Sequence, residues 1–193
     1  MLALTTIGLS STAGAEQASA CSSPESSAAY AATLPQVNPG DRGPEVKGMQ
    51  LRLKELGYPL TGTGLYADNT LTAVKDFQRK HGINDSGTVG STTWQKLVGV
   101  LPKYRTENLY PAGQQLHPGD HTPDAVNQLF DTAGRATGGW EWQGGRDGYY
   151  EGQLVDVVKK FQREVGINDS GIVGAKTWKA LGDVVSIRGY WGC

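Results

Sequence analysis

One stretch of this chain occurs twice, and that repetition limits what it can fold into. Residues 75–90 read Lys-Asp-Phe-Gln-Arg-Lys-His-Gly-Ile-Asn-Asp-Ser-Gly-Thr-Val-Gly. Residues 159–174 read Lys-Lys-Phe-Gln-Arg-Glu-Val-Gly-Ile-Asn-Asp-Ser-Gly-Ile-Val-Gly. Phe77 and Phe161 stand 84 apart (161 − 77), as do Trp94 and Trp178 (178 − 94). The register holds from Gly64/Gly148 through Leu97/Leu181. A fixed offset over that length means one structural unit in two copies.

Two units in 193 residues are each small, near the lower limit for a self-sufficient core. Net charge is −1 with no run of one sign, so no basic face points to nucleic acid. Glycine is high at 27 residues and charged residues are 19%, which suits a loop-rich exported protein. Met1 to Ala20 is apolar and small and ends in Ala18-Ser19-Ala20, a small-x-small cleavage pattern. It lacks the basic start of a secretory leader, so export and plain disorder both stand. No stretch approaches the roughly 20 apolar residues that span a bilayer. The two cysteines are Cys21, first after such a cleavage, and Cys193, last of the chain. A disulfide between them is one reading. A lipid anchor at Cys21 is the other, although Ala18 stands where a lipobox prefers Leu.

Residues 1–36 are expected to be leader and tether, since Cys21 to Gln36 is rich in Ser, Ala and Pro without a period. The first unit, 37–99, opens on Asn38-Pro39-Gly40-Asp41-Arg42-Gly43-Pro44, turn chemistry with Pro44 suited to a first helical position. Val46, Met49, Leu53 and Leu56 share one helix face, and Gly57 stops the helix. A second helix starts at Asp68 or Asn69 as N-cap, buries Leu71, Val74 and Phe77, and closes at Gly82. Asn84-Asp85-Ser86-Gly87 makes a turn, and a short third helix carries Trp94 and Leu97. Residues 100–116 form a linker with Pro102 and Pro111. The second unit, 117–183, pairs Val126 and Leu129 with Val46 and Met49 at an offset of 80 (126 − 46). The later offset of 84 places the added residues between Arg135 and Asp147. Residues 184–193 are a tail. The expected fold is all-α: two tandem three-helix bundles with Gly-rich loops and a Pro-containing linker.

Gly64-Leu65-Tyr66, Thr70, Ala73-Val74, Phe77-Gln78, Gly87-Thr88-Val89-Gly90, Thr93-Trp94 and Leu97 together resemble the three-helix peptidoglycan-binding domain of bacterial and phage wall-lytic enzymes. The second unit matches that pattern from Phe161-Gln162 through Leu181, but Leu154 replaces the Thr and its loop is longer. The resemblance implies a wall-binding role, with the second unit's share in it left open by these departures, and no cofactor is expected.

Peptidoglycan is a sugar strand bearing short peptide stems. A binder needs flat apolar surface for sugars, amide partners for stems and charges for stem carboxylates. Trp140, Trp142, Tyr149 and Tyr150 lie in a Gly-rich segment with little helix to bury them. They stack on sugar or stem, or they pack as a lid. Tyr66, Asn69, Gln78, Asp85 and Trp94, with Gln162, Asp169 and Trp178, complete the candidate ligand set. For Trp94 and Trp178 the competing role is core. For Gln78 and Gln162 it is bonding to loop backbone. His117, Asp120 and His121 look like a metal cluster, but their counterparts Asn38, Asp41 and Arg42 are no such site, so they read as turn chemistry. No Ser, His and Asp set stands in a nucleophile context, and both Cys are terminal.

The expected protein is a non-catalytic, exported, monomeric binder of cell-wall peptidoglycan, secreted or wall-associated. One alternative is a wall-lytic enzyme or a piece of one, targeted by these units. The other is a protein-interaction or inhibitory module on the same scaffold.

Overall fold

The structure, a computed structural model, describes residues 24–100, 104–105, 114–139 and 147–191. Seven helices run through them: α1 Pro24–Thr33, α2 Pro44–Glu55, α3 Asp68–Lys80, α4 Ser91–Leu97, α5 Pro123–Thr137, α6 Gly152–Glu164 and α7 Ala175–Ile187. Two two-residue strands, β1 Tyr104–Arg105 and β2 Tyr190–Trp191, pair in parallel. The fold is all-α, with α2–α4 forming the first unit and α5–α7 the second.

Local chemistry sets the helix ends. Pro44 and Pro123 each open a first helix, where a missing N–H costs nothing. Gly57 and Gly82, at φ 93° and 66°, end α2 and α3 in the left-handed region that a side chain disfavours. The expected cap at Asp68 or Asn69 moves back by one. Ala67 is the cap residue and Asp68 sits in the first turn, where its charge meets the positive helix end. Each unit then closes with an antiparallel bridge, Val37 to Val89 and Leu116 to Val173.

Three expectations change. The supposed tether is helical from Pro24, and α1 lies on α4 with Ser27 and Ala31 fully buried. Its paired Ser and Ala residues hid this because small residues carry no strong apolar period. The supposed tail continues α7 through Val184, Val185 and Ile187, all buried, and then forms β2. The added residues do not begin at Arg135 as loop, since α5 runs to Thr137. The leader, Cys21, Cys193, Trp140, Trp142 and most of the linker lie outside the described residues.

The units are not beads on a string. Helix α2 packs along α7, and each unit sends one side chain into the other's core. Leu51 of α2 joins the second core, and Ile187 of α7 joins the first. Gly48 permits this contact, because a Cβ there would lie 2.9 Å from Ile187. Arg188 closes the seam with an ion pair to Glu55 at 2.6 Å. Gly64, at φ 72°, sits so close to the end of α6 that a Cβ would lie 2.2 Å from the Glu164 carbonyl oxygen. Arg42 donates to that same carbonyl at 3.0 Å, satisfying a helix-end acceptor across the seam.

Candidate functional site

The repeated motif builds the same support in each unit. Gln78, fully buried, donates to the Thr88 carbonyl at 2.9 Å and to Thr93 Oγ1 at 3.0 Å, and accepts from Gly87 N–H at 3.0 Å. Gln162 donates to the Ile172 carbonyl at 2.8 Å and to Thr177 Oγ1 at 3.0 Å, and accepts from Gly171 N–H at 3.0 Å. Both amides are spent inside the protein, holding the loop before the third helix. Tyr66 and Tyr150 are buried rings whose hydroxyls donate to the Gly87 and Gly171 carbonyls, the first at 2.5 Å. Burial pushes both phenols above the ordinary tyrosine value. Trp94 and Trp178 are buried too, with indole N–H groups donating to Pro35 and Gln114 carbonyls at 2.8 Å. These six ligand candidates therefore lie in the scaffold and present no surface as placed.

The other described candidates are exposed or partly so. Asp85 pairs with Arg79 at 2.9 Å and Asp169 with Arg163 at 3.0 Å. Arg163 holds the Asp169 carboxyl below the usual carboxylate range. Asn69 Oδ1 accepts from Thr70 N–H at 2.8 Å. Tyr149 is 43% exposed and stacks on His121, ring centroids 4.1 Å apart. His117 N–H donates to Asp120 Oδ2 at 2.7 Å, as Asn38 N–H does to Asp41 Oδ2, so this cluster is a turn in both units. Trp140 and Trp142 lie outside the described residues, so the structure places neither.

What the structure does assemble is a cleft of about 680 Å³ along the seam. The first unit supplies Lys47, Leu51 and Lys54 from α2, and Thr61, Gly62 and Thr63 from the following loop. The second supplies the end of α5 at Thr137 to Gly139, and Gln153, Asp156, Val157, Lys160 and Glu164 from α6. That volume is within the range of ligand-binding clefts. At its base Lys47, 2% exposed, donates to Glu164 Oε2 at 2.7 Å and to the Gly62 carbonyl. Burial lowers the Lys47 pKa from the ordinary lysine value, against the pull of Glu164, and Lys160 and Arg188 lower it further. Leu51 occupies the space beside Gly62 and Gly138, where a Cβ on either would come within 2.9 Å of its methyl. Gly62 is required for room rather than for an unusual backbone angle.

Higher on the walls, Lys54, Lys160 and Asp156 have no ion-pair partner among the described residues. Asp156 and Lys160 stand four apart on α6 without pairing with each other. These groups escaped the sequence reading, although a signal was there. At the offset of 84, Asp76 and Lys80 correspond to Lys160 and Glu164, so both charges reverse between copies. In the first unit Asp76 and Lys80 pair with each other at 2.7 Å. In the second, Glu164 turns to Lys47 of the other unit instead. Charge reversal at matched repeat positions marks the seam.

Among known proteins, the chain matches the family described as "Putative peptidoglycan binding domain" over residues 42–97 and 135–181, together more than half of its length. It is 33% identical over 153 residues to a probable N-acetylmuramoyl-L-alanine amidase of Bacillus licheniformis. It is 27% identical over 157 residues to the N-acetylmuramoyl-L-alanine amidase CwlL of the same organism. Each alignment covers 72% of this chain and 42% of the relative, so the chain spans less than half the length of these amidases. A carboxy-terminal processing protease, CtpA of Bacillus subtilis (strain 168), is 36% identical over 69 residues, 36% of this chain and 15% of the protease.

Proposed function

Since the chain belongs to the peptidoglycan binding domain family in two copies, we propose that it holds bacterial cell-wall peptidoglycan without cleaving it, through the cleft between the copies. The observation that carries this is the double family match on units that share one seam and one cleft. The units act as a single rigid reader and not as two independent weak sites. The same reading makes the protein exported and wall-associated, with Cys21 and Cys193 bridged in that oxidising setting. Trp140 and Trp142 keep the sugar- or stem-stacking role given them from sequence.

Sedimentation with purified insoluble peptidoglycan tests the binding. The full chain should leave the supernatant, and protein wholly retained there would end the proposal. Trp140→Ala with Trp142→Ala should weaken wall binding at unchanged melting temperature. A large fall in melting temperature would instead make these rings a lid.

A second reading, a piece of a wall-lytic enzyme, is favoured by the two amidase relatives, which match over most of this chain yet extend well beyond it. A zymogram on purified wall separates the two, since a cleared band means bonds are broken.

A further inference from the structure

Resting on that wall-binding reading, we propose that the cleft takes the peptide stem of peptidoglycan by its free carboxylates, and that each unit supplies one ammonium to the grip. Lys54 comes from α2 and Lys160 from α6. Neither has an ion pair among the described residues, whereas Lys47 and Glu164 neutralise each other at 2.7 Å below them. Among the described residues the walls therefore carry two ammonium groups and one carboxylate, Asp156, without ion pairs, an excess of positive charge.

A peptide stem complements this arrangement. It brings carboxylates for Lys54 and Lys160, and a free side-chain amine would meet Asp156. A glycan strand is neutral along most of its length and is gripped on flat rings. No described lining residue is aromatic, and the apolar ones are Leu51 and Val157. Because the two ammonium groups stand on different units, the site exists only while α2 and α7 stay packed.

The full chain is titrated by calorimetry with three soluble probes. These are a tripeptide stem with free carboxylates, the same stem with carboxylates amidated, and an N-acetylglucosamine tetramer. The free stem should bind, the amidated stem should bind about tenfold more weakly, and the tetramer should not displace the free stem. Lys54→Ala and Lys160→Ala should each weaken the free stem by about fivefold to tenfold. Both side chains are on the surface, so the fold survives. Lys179→Ala, on the outer face of α7 and paired with Asp183, should change nothing. Equal affinity for free and amidated stems, displacement by the tetramer, or wild-type affinity in both cleft variants would each overturn the proposal. Wild-type protein that sediments with whole wall but ignores the free stem overturns it and leaves wall binding intact. Protein that does neither removes both.

Discussion

In the first unit, Gln50 reaches across to the loop ahead of α3. It donates to the Leu65 carbonyl at 2.8 Å and to Thr70 Oγ1 at 2.9 Å, and accepts from Gly64 N–H at 2.9 Å. In the second unit the register that pairs Val46 with Val126 puts Phe130 at that place, and Leu154 replaces Thr70. Both are buried in the second core. A polar clasp and an apolar plug thus stand at matched positions, and the exchange came in a pair. Either half alone would strand a buried hydroxyl or amide without partners, which costs more than having both or neither. The loop before the third helix shows no such exchange: Gln78 and Gln162 make the same three bonds. The fold tolerates two solutions at the first loop and keeps one at the second.

The largest expected effect tests whether the units are separable at all. Trp178→Ala empties a buried indole site and should cost about 3–5 kcal/mol. Because Leu51 and Ile187 are exchanged between cores, urea unfolding followed by circular dichroism should remain a single transition. Two resolved transitions, with the first unit surviving, would break the picture of one fused body. Gln162→Leu comes next. It strips Gly171 N–H of its acceptor and leaves the Ile172 carbonyl only the 3.4 Å bond from Thr177 Oγ1, and should cost about 2–3 kcal/mol. Gln78→Leu should match it, and a difference beyond about 1 kcal/mol would show that the loops are not equivalent. Leu154→Thr should cost about 1–3 kcal/mol, because no amide stands ready for the new hydroxyl. Gln50→Phe with Thr70→Leu should cost less than the sum of the two single changes, since the second unit already carries that pair.

Much of the scaffold was legible in the sequence. The helix face of Val46, Met49 and Leu53, the stop at Gly57 and the turn at Asn84 to Gly87 follow from periodicity and turn chemistry, whereas Leu56, assigned to that same face, caps the helix and is 45% exposed. The support role weighed for Gln78 and Gln162 is the one the geometry displays. The seam was not legible in the same way, because packing between repeats leaves no period in either one. Gly48 reads as a poor helix residue until Ile187 is found against it. Lys47 reads as a surface cation until Gly62 and Glu164 enclose it. Motif positions misled for a related reason. A motif marks what the fold cannot do without, and in a small bundle Tyr66, Trp94 and their counterparts are spent on the core. The cleft-wall residues Lys54, Asp156 and Lys160 have only their charges to distinguish them.

The smallest effect at neutral pH becomes visible in alkali and separates core from seam. Tyr66 and Tyr150 have folded pKa values raised by burial, so their contribution to stability is intact below about pH 10, the unfolded tyrosine value, and is lost as pH rises beyond it. Lys47 acts in the opposite sense. Its folded pKa is lowered, so its burial cost is relieved as pH approaches the ordinary lysine value of 10.5. Tyr66→Phe with Tyr150→Phe should cost about 1 kcal/mol per lost bond at pH 8 and flatten the decline in the urea midpoint between pH 10 and 11. Lys47→Met should steepen that decline, because it removes the opposing term. If the double Phe variant declines as steeply as the parent, the phenols do not ionise at the cost of the cores. If Lys47→Met leaves the slope untouched, the ammonium at the seam is already in contact with water, and the cleft floor is wetter than its 2% exposure indicates.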